Sequence, residues 1–312
     1  MPGWESVLQE IKSLNRPEAL DIVRRKYLKL LADKTQRNII AYYSGFLTKP
    51  MVEGTTIYDN DVNSFMTVIH NLDRSKGLDL ILHTQGGDLA ATECIGNYLY
   101  AMFGNDVRVI IPQLAMSAGT LLCCMSNSII MGKQSSLGPI DPQIRGIPAQ
   151  GVLNEFEQAR KEMAENPATI PLWQPIISQY TPTLIGECQN AVEMTKKIAH
   201  HWLLRNMLYG HTEEEVTQIV QRLNEHNSSY VHNRHFSKDD IKQFGLTVQS
   251  LEDDNTFQDL VLTVHHAYML TMEHTTVYKI VENQNGIGVF SQVSQNTFPT
   301  PPIAVKKSMP RF

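Results

Sequence analysis

The sequence predicts an α/β fold built on a parallel sheet, and three observations carry that expectation. Short apolar runs of strand length recur between residues 38 and 131. Amphipathic stretches of helical length separate them, and two of the runs end in glycine or small-residue turns that open a helix. Strand–helix–strand units of this size join parallel strands through right-handed crossovers.

Residues 4–34 read as helix interrupted near Pro17, with a basic second half (Arg24, Arg25, Lys26, Lys29) interleaved with Ile22, Leu28, Leu30 and Leu31. One basic face in an acidic chain points to an amphipathic helix packed on the body or on another subunit rather than to nucleic acid. Residues 38–44 read as a strand, and 61–72 as a helix with Val62, Phe65, Met66, Ile69 and Leu72 on one face. Residues 78–84 form a buried strand ended by Gln85-Gly86-Gly87. Helix 88–103 follows, with Asp88 as its N-cap. Residues 108–112 and 128–131 read as strands on either side of an apolar helix, 117–125. Beyond Pro148 the pattern is helical over 150–166, 186–209, 212–225, 237–244 and 255–273, with capping signatures at Thr212/Glu215 and Ser237. Residues 277–281 and 286–290 suggest two late strands.

The expected organisation is an N-terminal helical segment (1–36), an α/β domain (37–250), a C-terminal helix with strands (251–290) and a proline-containing flexible tail (291–312).

Composition narrows the function classes. A net charge of -5 gives no global reason to expect nucleic acid or anionic membrane as a partner. No run approaches the roughly 18 apolar residues of a membrane span. The N-terminus lacks the basic start and apolar centre of a secretory signal, and the four cysteines form no CxxC pair. A cytoplasmic protein is expected.

The chemistry concentrates in residues 83–142. Thr84-Gln85-Gly86-Gly87-Asp88 follows one strand, and Ala115-Met116-Ser117-Ala118-Gly119-Thr120 follows the next. Ligand sites in α/β sheets gather at such strand ends. A diglycine turn presents backbone N–H groups to a carbonyl without side chains in the way. A serine at a helix start sits at the positive end of the helix dipole, where an adjacent oxyanion is stabilised. Alone, each reads as a tight turn or an N-cap. Their pairing, strand before and helix after in both cases, points to Ser117 with an oxyanion hole from Gly87, Gly86 and Ala118.

The runs LDLILHTQGGD, VRVIIPQLAMSAGT and SIIMGKQSSLGPIDPQI resemble the serine dehydrogenase proteinase family, which is similar to signal peptide peptidase A and, more distantly, to the Clp peptidase/crotonase superfamily. The resemblance covers roughly residues 38–250. It implies a Clp peptidase/crotonase-like spiral of ββα units with additional helices at both ends. It also implies serine-dependent hydrolysis of a protein or peptide substrate and assembly into homo-oligomers. Carried over by position, Ser117 is the nucleophile, and Gly86, Gly87 and Ala118 supply the oxyanion hole.

The proton acceptor is the gap. Clp peptidases place a histidine shortly after the strand matching 128–131, and here Ser135-Ser136-Leu137-Gly138-Pro139-Ile140-Asp141 contains none. Signal peptide peptidases use a lysine where this chain has Gln150. Lys161 lies about 16 Å further along the same helix, and it is the expected base of a Ser-Lys site; Lys133 and Lys196 are the other candidates. Asp141 reads as a turn-fixing residue. His83 reads as a satisfied core histidine. His232-x-x-His235, with His226 and His211 nearby, lacks a cysteine or carboxylate to complete a ligand set, so neither metal nor cofactor is expected. The leading expectation is a serine peptidase acylated at Ser117. The alternatives are a catalytically inactive scaffold or binding module of the same fold, and a crotonase-type acyl-CoA enzyme.

Overall fold

The computed structural model describes residues 3–224 and 234–293. In chain order the strands are β1 (Asn38–Ser44), β2 (Leu78–His83), β3 (Val107–Ile111), β4 (Leu114–Ala115), β5 (Ser128–Met131), β6 (Ser136–Leu137), β7 (Gln143–Ile144), β8 (Ile147–Pro148), β9 (Val248–Ser250), β10 (Val277–Asn283) and β11 (Gly288–Gln292). The helices are α1 (Trp4–Leu14), α2 (Ala19–Thr35), α3 (Asn60–Ile69), α4 (Leu89–Phe103), α5 (Ala118–Cys123), α6 (Ala149–Glu165), α7 (Ile170–Ile177), α8 (Leu184–Arg205), α9 (Glu213–Asn224), α10 (Lys238–Phe244) and α11 (Asn255–His274).

The runs that are apolar on both sides form the centre of the sheet, because only a strand covered on both faces buries every side chain. β1, β2, β3, β5 and β9 lie parallel in that order. The two late strands join the β1 edge antiparallel, giving β11-β10-β1-β2-β3-β5-β9. Alternation along each strand sorts the side chains into two cores. Ile40, Tyr42, Leu80, Leu82, Val109 and Ile111 face α3, α4, α5 and α8, whereas Ile39, Ala41, Tyr43, Ile81 and Ile110 face α2 and α11. After β3 and again after β5 the chain makes a second short strand before its helix. These strands, β4 and β6, pair parallel beside the main sheet. This ββα repetition is the Clp/crotonase-like arrangement.

Local causes are visible throughout. Asp88 caps α4 by accepting the Ala91 N–H at 2.8 Å. Thr212 and Glu215 bond reciprocally, and Ser237 with Asp240 does the same at α10. Gly96 lets α8 approach α4, since a Cβ there would stand 2.4 Å from the Trp202 ring. The basic half of α2 is divided: Lys26 and Lys29 are exposed, but Arg24 is not. Arg24 is fully buried and donates to Glu282 of β10 at 2.6 Å. Removing one member of such a pair costs about 3–5 kcal/mol.

Sequence reading passed over the short strands β4, β6, β7, β8 and β9 and, among the α-helices described, α7. Its two prolines look like breakers, yet Pro171 occupies the first turn, where no N–H is needed. Among the described residues, no helix is long and apolar enough to cross a membrane.

Candidate active site

Two backbone bonds bring the strand ends together. Thr84 N–H donates to Leu114 O and Met116 N–H to Thr84 O, each at 3.0 Å, so the chain leaving β2 runs alongside β4. Ser117 follows directly, with φ 53° and ψ −116°. A side chain in that region is strained by about 1–3 kcal/mol and persists only where its surroundings over-determine it. Those surroundings are small residues in contact. A Cβ at Gly86 would lie 2.9 Å from Ser117 Cβ and 3.0 Å from Ala118 N. A Cβ at Gly119 would lie 2.6 Å from Thr84 Cγ2, and one at Gly138 2.6 Å from Met116 Cε.

Although it occupies the N-cap position of α5, the Ser117 side chain makes no capping bond. The hydroxyl is half-buried at the edge of a cleft of about 750 Å³. Gly86, Gly87 and Ala118 line the same cleft, so these four residues are brought together. Their N–H groups are not equivalent. Gly86 gives its hydrogen to Thr84 Oγ1 at 3.1 Å, and Asp88 gives its own to Ile57 O at 2.9 Å. Gly87 and Ala118, the latter at the open start of α5, are the donors that remain.

Lys161 does not join them. It is exposed on α6 and does not line the cleft, and the same holds for Lys133 on its loop. Lys196 on α8 is half-buried and also outside the lining. His226 and His232 lie outside the described residues. His235 lines the cleft, a position that sequence reading had considered only for metal.

The backbone explains how His235 arrives there. Phe236 exchanges both bonds with Leu137, N–H to O at 2.8 and 3.1 Å, and Leu137 pairs with Ala115. Residue 236 therefore stands two ladder steps, about 10 Å, from the strand that delivers Ser117. Nothing in the sequence singled His235 out from the other ten histidines.

The rest of the lining is largely apolar, with Phe46, Leu89, Leu121, Ile140 and Ile144 as its main side chains. Asp141, between the lining residues Ile140 and Pro142, is fully buried. Cys123 and Cys124 are core residues as expected, and burial pushes the Cys124 thiol up to about 12, which removes it as a nucleophile. His83 is also buried, but it is packed rather than hydrogen-bonded. Its ring lies against Phe46, Tyr43 and His265, and neither nitrogen has a hydrogen-bond partner among the described residues. Burial pushes its pKa down to about 4, against an opposing influence of the Leu114 backbone.

A hydroxyl, two backbone N–H groups and an imidazole around one apolar cleft are the components of acyl transfer. Residues 11–275 match the family described as ClpP-like SDH-type serine proteinase. The chain belongs to that family. Two uncharacterized proteins of Methanocaldococcus jannaschii are similar to it. MJ0137 is 28% identical over 74% of this chain and 75% of its own length. MJ1495 is 27% identical over 66% of this chain and 62% of its own length, so the chain spans less than two thirds of that relative. No solved structure matches the chain significantly. Membership accounts for the ββα architecture, and it supports hydrolase chemistry in general terms without naming the base.

Proposed function

We propose that the protein is a serine peptidase that cleaves peptide bonds through an acyl-enzyme on Ser117. The observation that carries the reading is the strained, uncapped Ser117 in contact with Gly86 and Ala118 at the edge of the cleft. A serine needed only to cap α5 would adopt ordinary extended geometry and bond the helix. In this reading the hydroxyl attacks the scissile carbonyl while His235 takes its proton. The Gly87 and Ala118 N–H groups hold the oxyanion, and His235 returns the proton to the leaving amine. Water then hydrolyses the ester by the same route. His235 replaces Lys161 as the assigned base, because an exposed lysine outside the cleft reaches neither the hydroxyl nor the desolvation that would lower its pKa. We assign orientation of the imidazole to Asp141, the buried carboxylate of the loop that lines the cleft. The apolar lining supports substrates with an apolar side chain beside the scissile bond.

A fluorophosphonate probe tests the reading directly. The wild-type chain is expected to label once, and Ser117→Ala to lose both label and turnover, the latter by at least about 10⁴-fold. A folded wild-type protein that never labels would favour the inactive scaffold, and acyl-CoA turnover that survives Ser117→Ala would favour the crotonase-type alternative.

A further inference from the structure

Lys279 on β10 and Asp61 in the first turn of α3 are each 2% exposed, with Nζ 2.9 Å from Oδ2. Neither lines the cleft, yet only two peptide planes separate them from it. The plane between residues 56 and 57 gives its carbonyl, Thr56 O, to Lys279 Nζ at 2.6 Å. The same plane gives its N–H, on Ile57, to Gly86 O at 2.8 Å. The plane between residues 57 and 58 gives its N–H, on Tyr58, to Asp61 Oδ2 at 3.1 Å. Its carbonyl, Ile57 O, accepts from Asp88 N–H at 2.9 Å. Each plane is held at one edge by the ion pair and at the other by the diglycine turn.

The consequence falls on Gly87. Ile57 and Gly87 form an isolated parallel bridge in which the neighbours of Gly87 make both bonds. In that pattern the central residue turns its own N–H to the opposite side. The Gly87 N–H is thereby kept from Ile57 and left for the cleft that Gly87 lines. The approach is close enough to demand glycine, since a Cβ at residue 87 would stand 2.2 Å from Ile57 O. The pair itself has little freedom. Tyr42 Oη–H donates to Asp61 Oδ2 at 2.8 Å, and Lys279 Nζ lies 4.0 Å from the centre of the Tyr58 ring. Net stability is a weak reason for such an arrangement, because well-packed apolar residues often replace a buried ion pair without loss.

We propose that Lys279 and Asp61 are positioning residues for the oxyanion hole, which set the direction of the Gly87 N–H through the two peptide planes flanking Ile57. This inference rests on the peptidase reading above. The test is the double variant Lys279→Met/Asp61→Leu, which removes both tethers without leaving an unpaired buried charge. Folding is checked by circular dichroism, and kcat and KM are measured with a peptide ester carrying an apolar residue. Binding is measured for a peptide aldehyde, whose adduct with Ser117 carries the oxyanion, and for the matching alcohol, which forms none. The expected result is a kcat lowered roughly tenfold to hundredfold, with KM and alcohol affinity kept within about twofold. Aldehyde affinity should fall by the same factor as kcat.

Wild-type kcat and aldehyde affinity in the folded variant would overturn the proposal. So would a parallel decline of kcat, KM, alcohol affinity and melting temperature, which marks a merely structural pair. If the double variant does not fold, Ile57→Pro asks the same question from the other end, because it deletes the N–H bonded to Gly86 and leaves the ion pair intact. Wild-type kcat in that variant would equally overturn the proposal. A wild-type enzyme that neither labels nor turns over at Ser117 removes the peptidase reading first, and this inference with it.

Discussion

The cleft has two unlike walls. One is the strand-end wall, where Gly86 lies against Ser117, Gly87 against Ile57 and Gly138 against Met116 at distances that admit no added carbon. The other belongs to the excursion that leaves the body at Gln143 and returns on α8 at Ala191 and Thr195. That excursion is loosely anchored. α7 buries none of its residues, and Leu172 is 69% exposed. The contrast suggests a division of labour in which acyl-transfer geometry is kept where the backbone is over-determined. In the peptidase reading proposed above, substrate accommodation falls to the excursion, whose helix α7 buries no residue and can open locally at low cost.

The largest expected effect concerns chemistry on the rigid wall. His235→Gln should lower kcat and the fluorophosphonate labelling rate by about 10²–10⁴-fold. Labelling at the wild-type rate would remove His235 from the mechanism and leave the wall without a base.

Acid should undermine the same wall from behind. His83 immediately precedes Thr84, and its folded-state pKa of about 4 lies below the ordinary 6.5. The unfolded chain therefore binds the proton first, so stability is fully present above pH 6.5 and is lost as pH falls towards 4. The loss is about 3 kcal/mol. Buried His265, also pushed down by burial, acts in the same direction. Urea denaturation across this range measures the effect, and His83→Leu should reduce the slope.

Next in size, Gly86→Ala should destabilise by about 1–3 kcal/mol, because Gly86 has φ +105° and its new Cβ would stand 2.8 Å from Met116 O. Thermal melting gives the stability change, and probe labelling shows whether Ser117 is displaced. At the small end, Leu172→Ser on α7 should change stability by no more than about 0.5 kcal/mol. A large loss there would mean that the second wall is not loosely anchored, and the contrast between the walls would fail.

What could be read from the chain follows the same line. The strand-end wall was legible because its parts are local. A strand, a turn of small residues and a helix start lie within a few positions of each other, at 83–88 and again at 115–120. The late strands were also legible as elements, although not their pairing with β1. His235 was not, since its approach depends on a backbone bridge between Phe236 and Leu137 that no spacing encodes. Lys279 and Asp61 were invisible for a related reason. Each is an ordinary charged residue until tertiary packing buries the two together. Lys161 illustrates the opposite hazard: a residue of the right type on the right helix, which the helix turns towards solvent.

β1 sits inside the main sheet, yet one of its two neighbours is β10, drawn from residues 277–283. A nascent chain can therefore lay β1 against β2 while the other flank keeps its hydrogen-bonding groups unsatisfied until residues 277–283 have been made. An unpaired strand edge of that kind invites intermolecular pairing. The interval between making β1 and making β10 is therefore when the chain is most open to such pairing.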